Sequence, residues 1–409
     1  MADLREEDIP QGTDDNDSSE LVTRPTKPSY GDSSNVSLKR KIDDGFTPDG
    51  PPTSCRKVDN HTKVVATHYN ELKEKGRAER SKSQIFHMRN FNNWIKSVLI
   101  NEFLTKVKDS TRHGDPLRVL DMCCGKGGDL LKWQNSNITH LICTDIAEVS
   151  MQQCEERYKT MIDRNRKNKY PKKIFTAEFF ACDSTLQQLR EKYKDPSVEL
   201  DLVSCQFAFH YCFESLKQAE CMIRNAAECL RAGGYFIGTI PDANDIMKRQ
   251  READSDEFGN EIYRIKFLSD TETPPLFGAK YNFELDGVVN CPEFLVHFPL
   301  LVKLAAKFGL KLVLKERFDE YFEKNKNNYI ARGLLEKMNA LETYPPFNQK
   351  EAADMSASPE YAHVKSYSRG RTCGTLSKSE WEASSLYLVF AFQKMKSRIN
   401  SENQTEYFD

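Results

Sequence analysis

The chain has 409 residues with 59 Lys and Arg against 61 Asp and Glu, a net charge of −2; this gives no support for wide nonspecific wrapping of nucleic acid, although a local basic channel is compatible with it. Its 39% hydrophobic content supplies a substantial core. Twelve scattered cysteines, without a zinc-ligand repeat or a secreted scaffold's density, fit a reduced intracellular setting, and the absence of a leading apolar segment or an 18-residue apolar span predicts a soluble chain with no membrane partner.

Residues 1–60 are rich in Asp, Ser, Pro and Gly and offer too little apolar surface to offset ordering entropy, so a disordered tail is expected. Within it, Lys39-Arg40-Lys41 is compatible with a nuclear import signal and equally with an ordinary solvated tail. Across 84–106, Ile85, Met88, Phe91, Trp94, Ile95, Val98, Leu99 and Phe103 recur at three- and four-residue spacing, which predicts an amphipathic helix. Short apolar runs at 118–122, 141–144, 175–180, 200–204 and 234–240 then read as strands. They alternate with a helix beginning near Ala147 and helices near 184–192, 214–229 and 242–251. This alternation predicts an α/β fold with a largely parallel central sheet and helices on both faces.

In such a sheet the residues just after successive strands converge on a crevice at the strands' carboxyl ends. Those positions here are Cys123 to Gly128, Asp145, Asp183 and Gln206. Gly125, Gly127 and Gly128 allow close backbone approach to a ligand. Asp145 is suited to ribose hydroxyls and Asp183 to an adenine amino group. Without the preceding motif, either aspartate reads first as a solvated loop residue or a helix cap. The turn by itself leaves nicotinamide and flavin cofactors open, with the strand-end acid 24 residues beyond Asp121; Lys126 lacks the Gly-Lys-Ser/Thr ending of a triphosphatase loop.

The turn and acids, together with Ser204-Cys205-Gln206-Phe207-Ala208-Phe209-His210-Tyr211, resemble the eukaryotic mRNA cap guanine-N7 methyltransferase family. Arg89-Asn90-Phe91-Asn92-Asn93-Trp94-Ile95-Lys96, Asn290-Cys291-Pro292-Glu293-Phe294 and Ser385-Leu386-Tyr387-Leu388-Val389-Phe390 extend the match over residues 65–394. The resemblance implies a class I S-adenosylmethionine-dependent methyltransferase fold with cap-binding additions. It implies methyl transfer from S-adenosyl-L-methionine to N7 of the terminal guanine of GpppN-RNA. By the same resemblance Lys96, Cys123, Gly125, Asp145, Asp183, Gln206 and Tyr211 surround the cofactor. Asn92, Asn93, His210, Pro241, Glu293 and Tyr387 form the cap side, and Tyr211 orients the reacting groups. No metal is implied. The family usually carries glycine where Cys123 stands, so its side chain is either tolerated by an altered turn or weakens cofactor binding. Glu293 also admits a bland reading as a stabiliser of a helix start after Pro292.

Guanine N7 is already a nucleophile and loses no proton on attack, so direct in-line substitution needs no general base. Ideal positioning of such reactants lowers a barrier by about 7–11 kcal/mol. Arg89, Lys96, Lys126 and Lys132 are candidate neutralisers of the triphosphate bridge. The resemblance further implies a nuclear location, capping enzymes and transcription machinery as partners, and a small activating cap-methyltransferase subunit. The main alternative is a catalytically weak or inactive cap-binding or RNA-binding protein on the same fold.

The resulting domain expectation is a catalytic domain over 61–396 and a flexible tail over 397–409. Residues 263–267 and 280–285 read as strands of a cap-site insertion or a stability hairpin. Phe298, Leu300, Leu301, Leu304 and Phe308 form an apolar helical face suited to internal packing. The Pro-, Ser- and Gly-bearing stretch 346–376 is expected to be a loop near the pocket.

Overall fold

The computed structural model describes residues 61–71, 82–368 and 371–408, all within the unit Asp59–Asp409. The tail of 1–60, with Lys39-Arg40-Lys41, lies outside the described residues. Helix α1 (His61–Glu71) precedes the long α2 (Phe86–Ser110). All eight apolar residues whose spacing predicts this second helix are buried, and Trp94 anchors it by donating its indole N–H to the Ala331 carbonyl at 2.7 Å.

Next come β1 (Arg118–Met122), α3 (Leu130–Asn135), β2 (His140–Asp145), α4 (Glu148–Arg166), β3 (Thr176–Ala181), β4 (Leu200–Gln206), α5 (Leu216–Ala227), β5 (Leu230–Pro241) and α6 (Ala243–Ala253). Four strands, β6 (Glu257–Gly259), β7 (Tyr263–Phe267), β8 (Lys280–Leu285) and β9 (Val289–Phe294), make a separate antiparallel sheet. Beyond them lie α7 (Phe298–Lys307), β10 (Leu310–Arg317), α8 (Phe318–Asn325), α9 (Tyr329–Met338), β11 (Glu342–Tyr344), α10 (Gln349–Ala357), α11 (Ala362–Ser368), β12 (Cys373–Thr375) and α12 (Lys378–Ser384). The last three strands are β13 (Tyr387–Lys394), β14 (Lys396–Ile399) and β15 (Thr405–Phe408).

The central sheet has the order β10-β13-β5-β4-β1-β2-β3. Its pairs from β3 through β5 are parallel, and β13 runs antiparallel to both β5 and β10. Every residue of β4 is buried, as expected of a strand covered by helices on both faces. The strand order reverses between β1 and β4, and the crevice at their carboxyl ends is where a ligand binds in such sheets.

Four expectations need correction. Residues 184–192 hold only a short 3₁₀ turn, Leu189–Lys192, because the Asn225 side chain of α5 replaces helical hydrogen bonds. Its amide accepts from Leu189 N–H and donates to the Ser184 and Gln187 carbonyls at 2.8–2.9 Å. Glu293 sits on β9 and not at a helix start; the next helix is capped by His297, whose ring accepts from Leu300 N–H. The stretch 346–376 carries α10, α11 and β12, with β12 paired to β11. The C-terminal tail is a β14–β15 hairpin, joined by the Arg398–Glu406 ion pair at 3.0 Å. Its Tyr407 ring lies so close over Gly309 that it leaves no room for a Cβ there.

Candidate active site

The chain leaves β1 through Met122 and turns at Cys123 (φ 56°), Gly125 (φ 53°) and Gly127 (φ 73°). Glycine takes this left-handed region freely, whereas a side chain there costs roughly 1–2 kcal/mol. Cys123 is held in it nonetheless. The neighbouring Cys205 thiol of β4 and burial push its pKa well above the usual thiol range.

Asp145 ties the turn to the next strand. Its Oδ2 accepts the Gly125 N–H at 2.8 Å and its Oδ1 accepts the Ala147 N–H at 2.9 Å, while Cys124 N–H reaches the Thr144 carbonyl at 3.0 Å. Burial raises the Asp145 pKa against these two hydrogen bonds. Each carboxylate oxygen keeps a second lone pair, which is the capacity a ribose diol uses. Asp183 is similarly half committed, with Oδ1 accepting from Thr185 N–H and Oγ1 at 2.9 and 2.6 Å.

These groups line one cavity of about 980 Å³, at the large end of small-molecule sites. Asn93, Lys96, Cys123, Gly125, Asp145, Asp183, Gln206 and Tyr211 all face it. Gln206 donates to Ser204 Oγ at 3.0 Å, but its buried Oε1 has no hydrogen-bond partner among the described residues. A buried acceptor of this kind calls for a ligand donor.

The basic residues are arranged around Asp129. Lys96 and Lys132 approach its Oδ1 at 2.9 and 2.6 Å, and Lys132 also lies 3.4 Å from Asn93 Oδ1. Burial opposes ionisation of Asp129, and the two ammonium groups outweigh it, holding the carboxyl well below its ordinary range. Asp121 responds in the opposite sense: burial and then the Asp129 charge raise it well above that range, and it accepts the Trp133 indole N–H at 3.0 Å.

The remaining sequence-predicted residues lie behind this cavity. His210 and Glu293 are 1% and 3% exposed, with Nε2 and Oε1 3.3 Å apart. That contact is not aligned as a hydrogen bond, and neither ring nitrogen of His210 has a hydrogen-bond partner among the described residues. Glu293 Oε2 accepts from Tyr281 hydroxyl at 2.8 Å. Tyr387 and Pro241 are register partners across β13 and β5, and Tyr387 packs edge-on against Phe207. Asn92 does not face the cavity; its side chain accepts from Ser384 Oγ at 3.0 Å. Tyr211 joins the two regions. It lines the cavity, and its ring centroid lies 4.3 Å from that of His210.

Sequence reasoning missed α1. His61, Thr62, Val65 and Tyr69 line the cavity. The His61 ring packs edge-on to Phe294 of β9 at 4.6 Å, and the Tyr69 hydroxyl lies 3.2 Å from that of Tyr211. His61 is 3% exposed, and neither ring nitrogen has a hydrogen-bond partner among the described residues. Burial, then the charges of Lys280 and His210, lower its pKa to about 4. The available signal was the four-residue spacing of His61, Val65 and Tyr69 on one helix face.

A glycine turn after β1, an acid ending β2, an order reversal between β1 and β4 and the antiparallel β13 set between β5 and β10 define a class I S-adenosylmethionine-dependent methyltransferase fold. Residues 53–395 match the mRNA (guanine-N(7))-methyltransferase domain, and the chain belongs to that family. It is similar to the mRNA cap guanine-N(7) methyltransferase of Drosophila melanogaster, 60% identical over 341 residues covering 82% of this chain and 78% of the relative. With that of Caenorhabditis elegans it shares 43% over 353 residues, covering 83% and 89%; with methyltransferase 1 of Oryza sativa, 36% over 355 residues, covering 84% and 86%. Among solved structures, a S-adenosylmethionine-dependent methyltransferase from Clostridium acetobutylicum superposes at 9% identity and a TM-score of 0.39, covering 81% of this chain and 98% of that one.

Proposed function

We propose that this chain transfers the methyl group of S-adenosylmethionine to N7 of the terminal guanine of GpppN-RNA. The observation that carries this reading is Tyr211, a shared wall between the cofactor cavity and the Glu293–His210 pair. The residues present fit the cofactor: Gly125 exposes turn backbone, Asp145 retains acceptor capacity, and Gln206 offers an unsatisfied Oε1. Lys96, Cys123 and Asp183 complete its surroundings. When bound, the cofactor supplies an electrophilic methyl group on a positively charged sulfur.

Glu293 Oε1 would accept from guanine N1–H and the exocyclic amine, and His210 would donate to O6. This selects guanine and leaves N7 free. Pro241 and Tyr387 would form the flat apolar side, with Asn93 at the entrance and Asn92 held back by Ser384. Burial and the neighbouring Tyr69 push the Tyr211 pKa well above the usual phenol range, so it acts as a neutral orienting group. Rate enhancement comes from alignment and exclusion of unproductive poses. Since α1 packs over Tyr211 and β9, entry of guanine requires α1 to yield.

The product of this reaction belongs to mRNA processing, and we place the chain in the nucleus with capping enzymes, transcription machinery and a small activating subunit as partners. Among the described residues no helix is long and apolar enough to cross a membrane. The test is methyl transfer to GpppN-RNA, uncapped RNA and free guanine nucleotides, with the methylated position mapped. N7 product from capped RNA is expected; cap binding without transfer would overturn the enzymatic reading.

A further inference from the structure

Cys124 of the turn, Cys143 of β2 and Cys154 of α4 bring their three sulfur atoms within 4.8 Å of one another, the one such group of metal-ligating side chains among the described residues. Cys124 Sγ is 4.0 Å from Cys154 Sγ and 3.7 Å from the Met151 thioether sulfur. All three thiols are free. Cys143 and Cys154 are fully buried, whereas Cys124 is half-buried and lines the cofactor cavity. The functional reading gives this sulfur cluster no task.

We propose that Cys124, Cys143 and Cys154 form a binding site for a thiophilic d¹⁰ metal ion, Cu(I), beneath the cofactor turn and with Met151 as a fourth soft neighbour. A metal–sulfur bond of about 2.3 Å sets sulfur atoms about 4.0 Å apart in a trigonal arrangement and about 3.8 Å apart in a tetrahedral one. The Cys124–Cys154 separation already meets the trigonal value, and the widest pair needs to close by less than about 1 Å. Only sulfur converges here. A thiolate and thioether set without imidazole or carboxylate favours Cu(I), while Zn(II) sites are completed by Cys, His or carboxylate. The ion enters from the cavity past Cys124. Three S–H protons pass to solvent as three metal–sulfur bonds form, and copper keeps its oxidation state.

The site is mechanically tied to the turn. A Cβ on Gly127 would stand 2.7 Å from Cys154 Sγ, so turn backbone rests directly on one ligand. Drawing Cys124 toward Cys143 and Cys154 pulls on the Cys124 N–H bond to Thr144 and the Gly125 N–H bond to Asp145. Copper therefore opposes cofactor binding. This antagonism rests on the proposed function, whereas the copper site does not.

The experiment uses full-length, fully reduced protein under anaerobic conditions, with Cu(I) buffered by bathocuproine disulfonate. One ion per chain is expected, with affinity reduced at least 100-fold in Cys143→Ser and in Cys154→Ser and unchanged in Cys221→Ser. X-ray absorption of the loaded wild type should show sulfur neighbours only. This reading also serves if a serine variant fails to fold. Uptake unchanged in both variants, nitrogen or oxygen in the coordination shell, or displacement by equimolar Zn(II) would overturn the site. S-adenosylhomocysteine should bind the copper-loaded wild type at least tenfold more weakly, and Cys154→Ser treated identically should show no change. Equal affinity with and without bound copper would overturn the antagonism.

Discussion

The hydroxyl groups of Tyr69 and Tyr211 meet at 3.2 Å, joining α1 to the wall shared by the large cavity and the Glu293–His210 pair. This contact favours the covered state of the pocket. Removing the Tyr69 hydroxyl alone, by Tyr69→Phe, forfeits a hydrogen bond of about 0.5–1.5 kcal/mol. The expected outcome is GpppG binding about 2- to 10-fold tighter by calorimetry, with S-adenosylhomocysteine affinity unchanged. Weaker GpppG binding would show that α1 supports the cap instead of covering it.

His61 makes the α1 contact sensitive to acid. Its docked pKa is about 4 against an ordinary 6.5, so the undocked state binds the proton first as pH falls. Stability of docking is complete above pH 6.5 and is lost progressively toward pH 4. Hydrogen exchange of the α1 amides, corrected for the intrinsic rate, should lose protection across that window. In His61→Phe the loss should vanish; if it persists, another group is responsible.

Glu293→Gln keeps the side-chain volume and removes the charge proposed to face guanine. Hydrogen bonds to a charged group contribute about 1.5–3 kcal/mol, so methylation of GpppN-RNA should fall about 10- to 150-fold. Cofactor affinity should stay within twofold. Undiminished kcat/KM on quantified capped RNA would remove Glu293 from guanine recognition.

Asp145→Asn places an amide where both carboxylate oxygens accept backbone N–H groups. One of those donors must then face another donor. Calorimetry should show S-adenosylhomocysteine affinity at least tenfold weaker, the counterpart of about 1.4 kcal/mol. An unaltered value would exclude a ribose role for this residue.

Cys123→Gly tests whether the unusual residue in the turn impairs the site. Since the Cys205 thiol on β4 is a neighbour of this side chain, cofactor affinity should change by less than about threefold, or about 0.6 kcal/mol. A tenfold tightening would mean that the side chain narrows the cavity.

The parallel strands were legible because burial on both faces leaves short apolar runs with a post-strand acid or glycine turn. The segment near 184–192 was not, since Asn225, more than thirty positions away, supplies its hydrogen bonds. Resemblance alone puts Glu293 forward as a cap residue, and its strand was obscured by Pro292, which β9 accommodates opposite Asn282. The cover formed by α1 escaped notice because its inward face holds a single buried apolar residue, Val65, between polar His61 and Tyr69, without the sustained hydrophobic period that marks α2.

Asp129 changes what salt can do at the entrance. A phosphate reaching Lys96 and Lys132 displaces a tethered carboxylate, an internal anion whose local concentration does not vary with the buffer. Dissolved counterions are released only where exposed cations meet the RNA. The part of capped-RNA affinity contributed by these two lysines should therefore be nearly flat in ionic strength, a signature unlike that of an open basic groove.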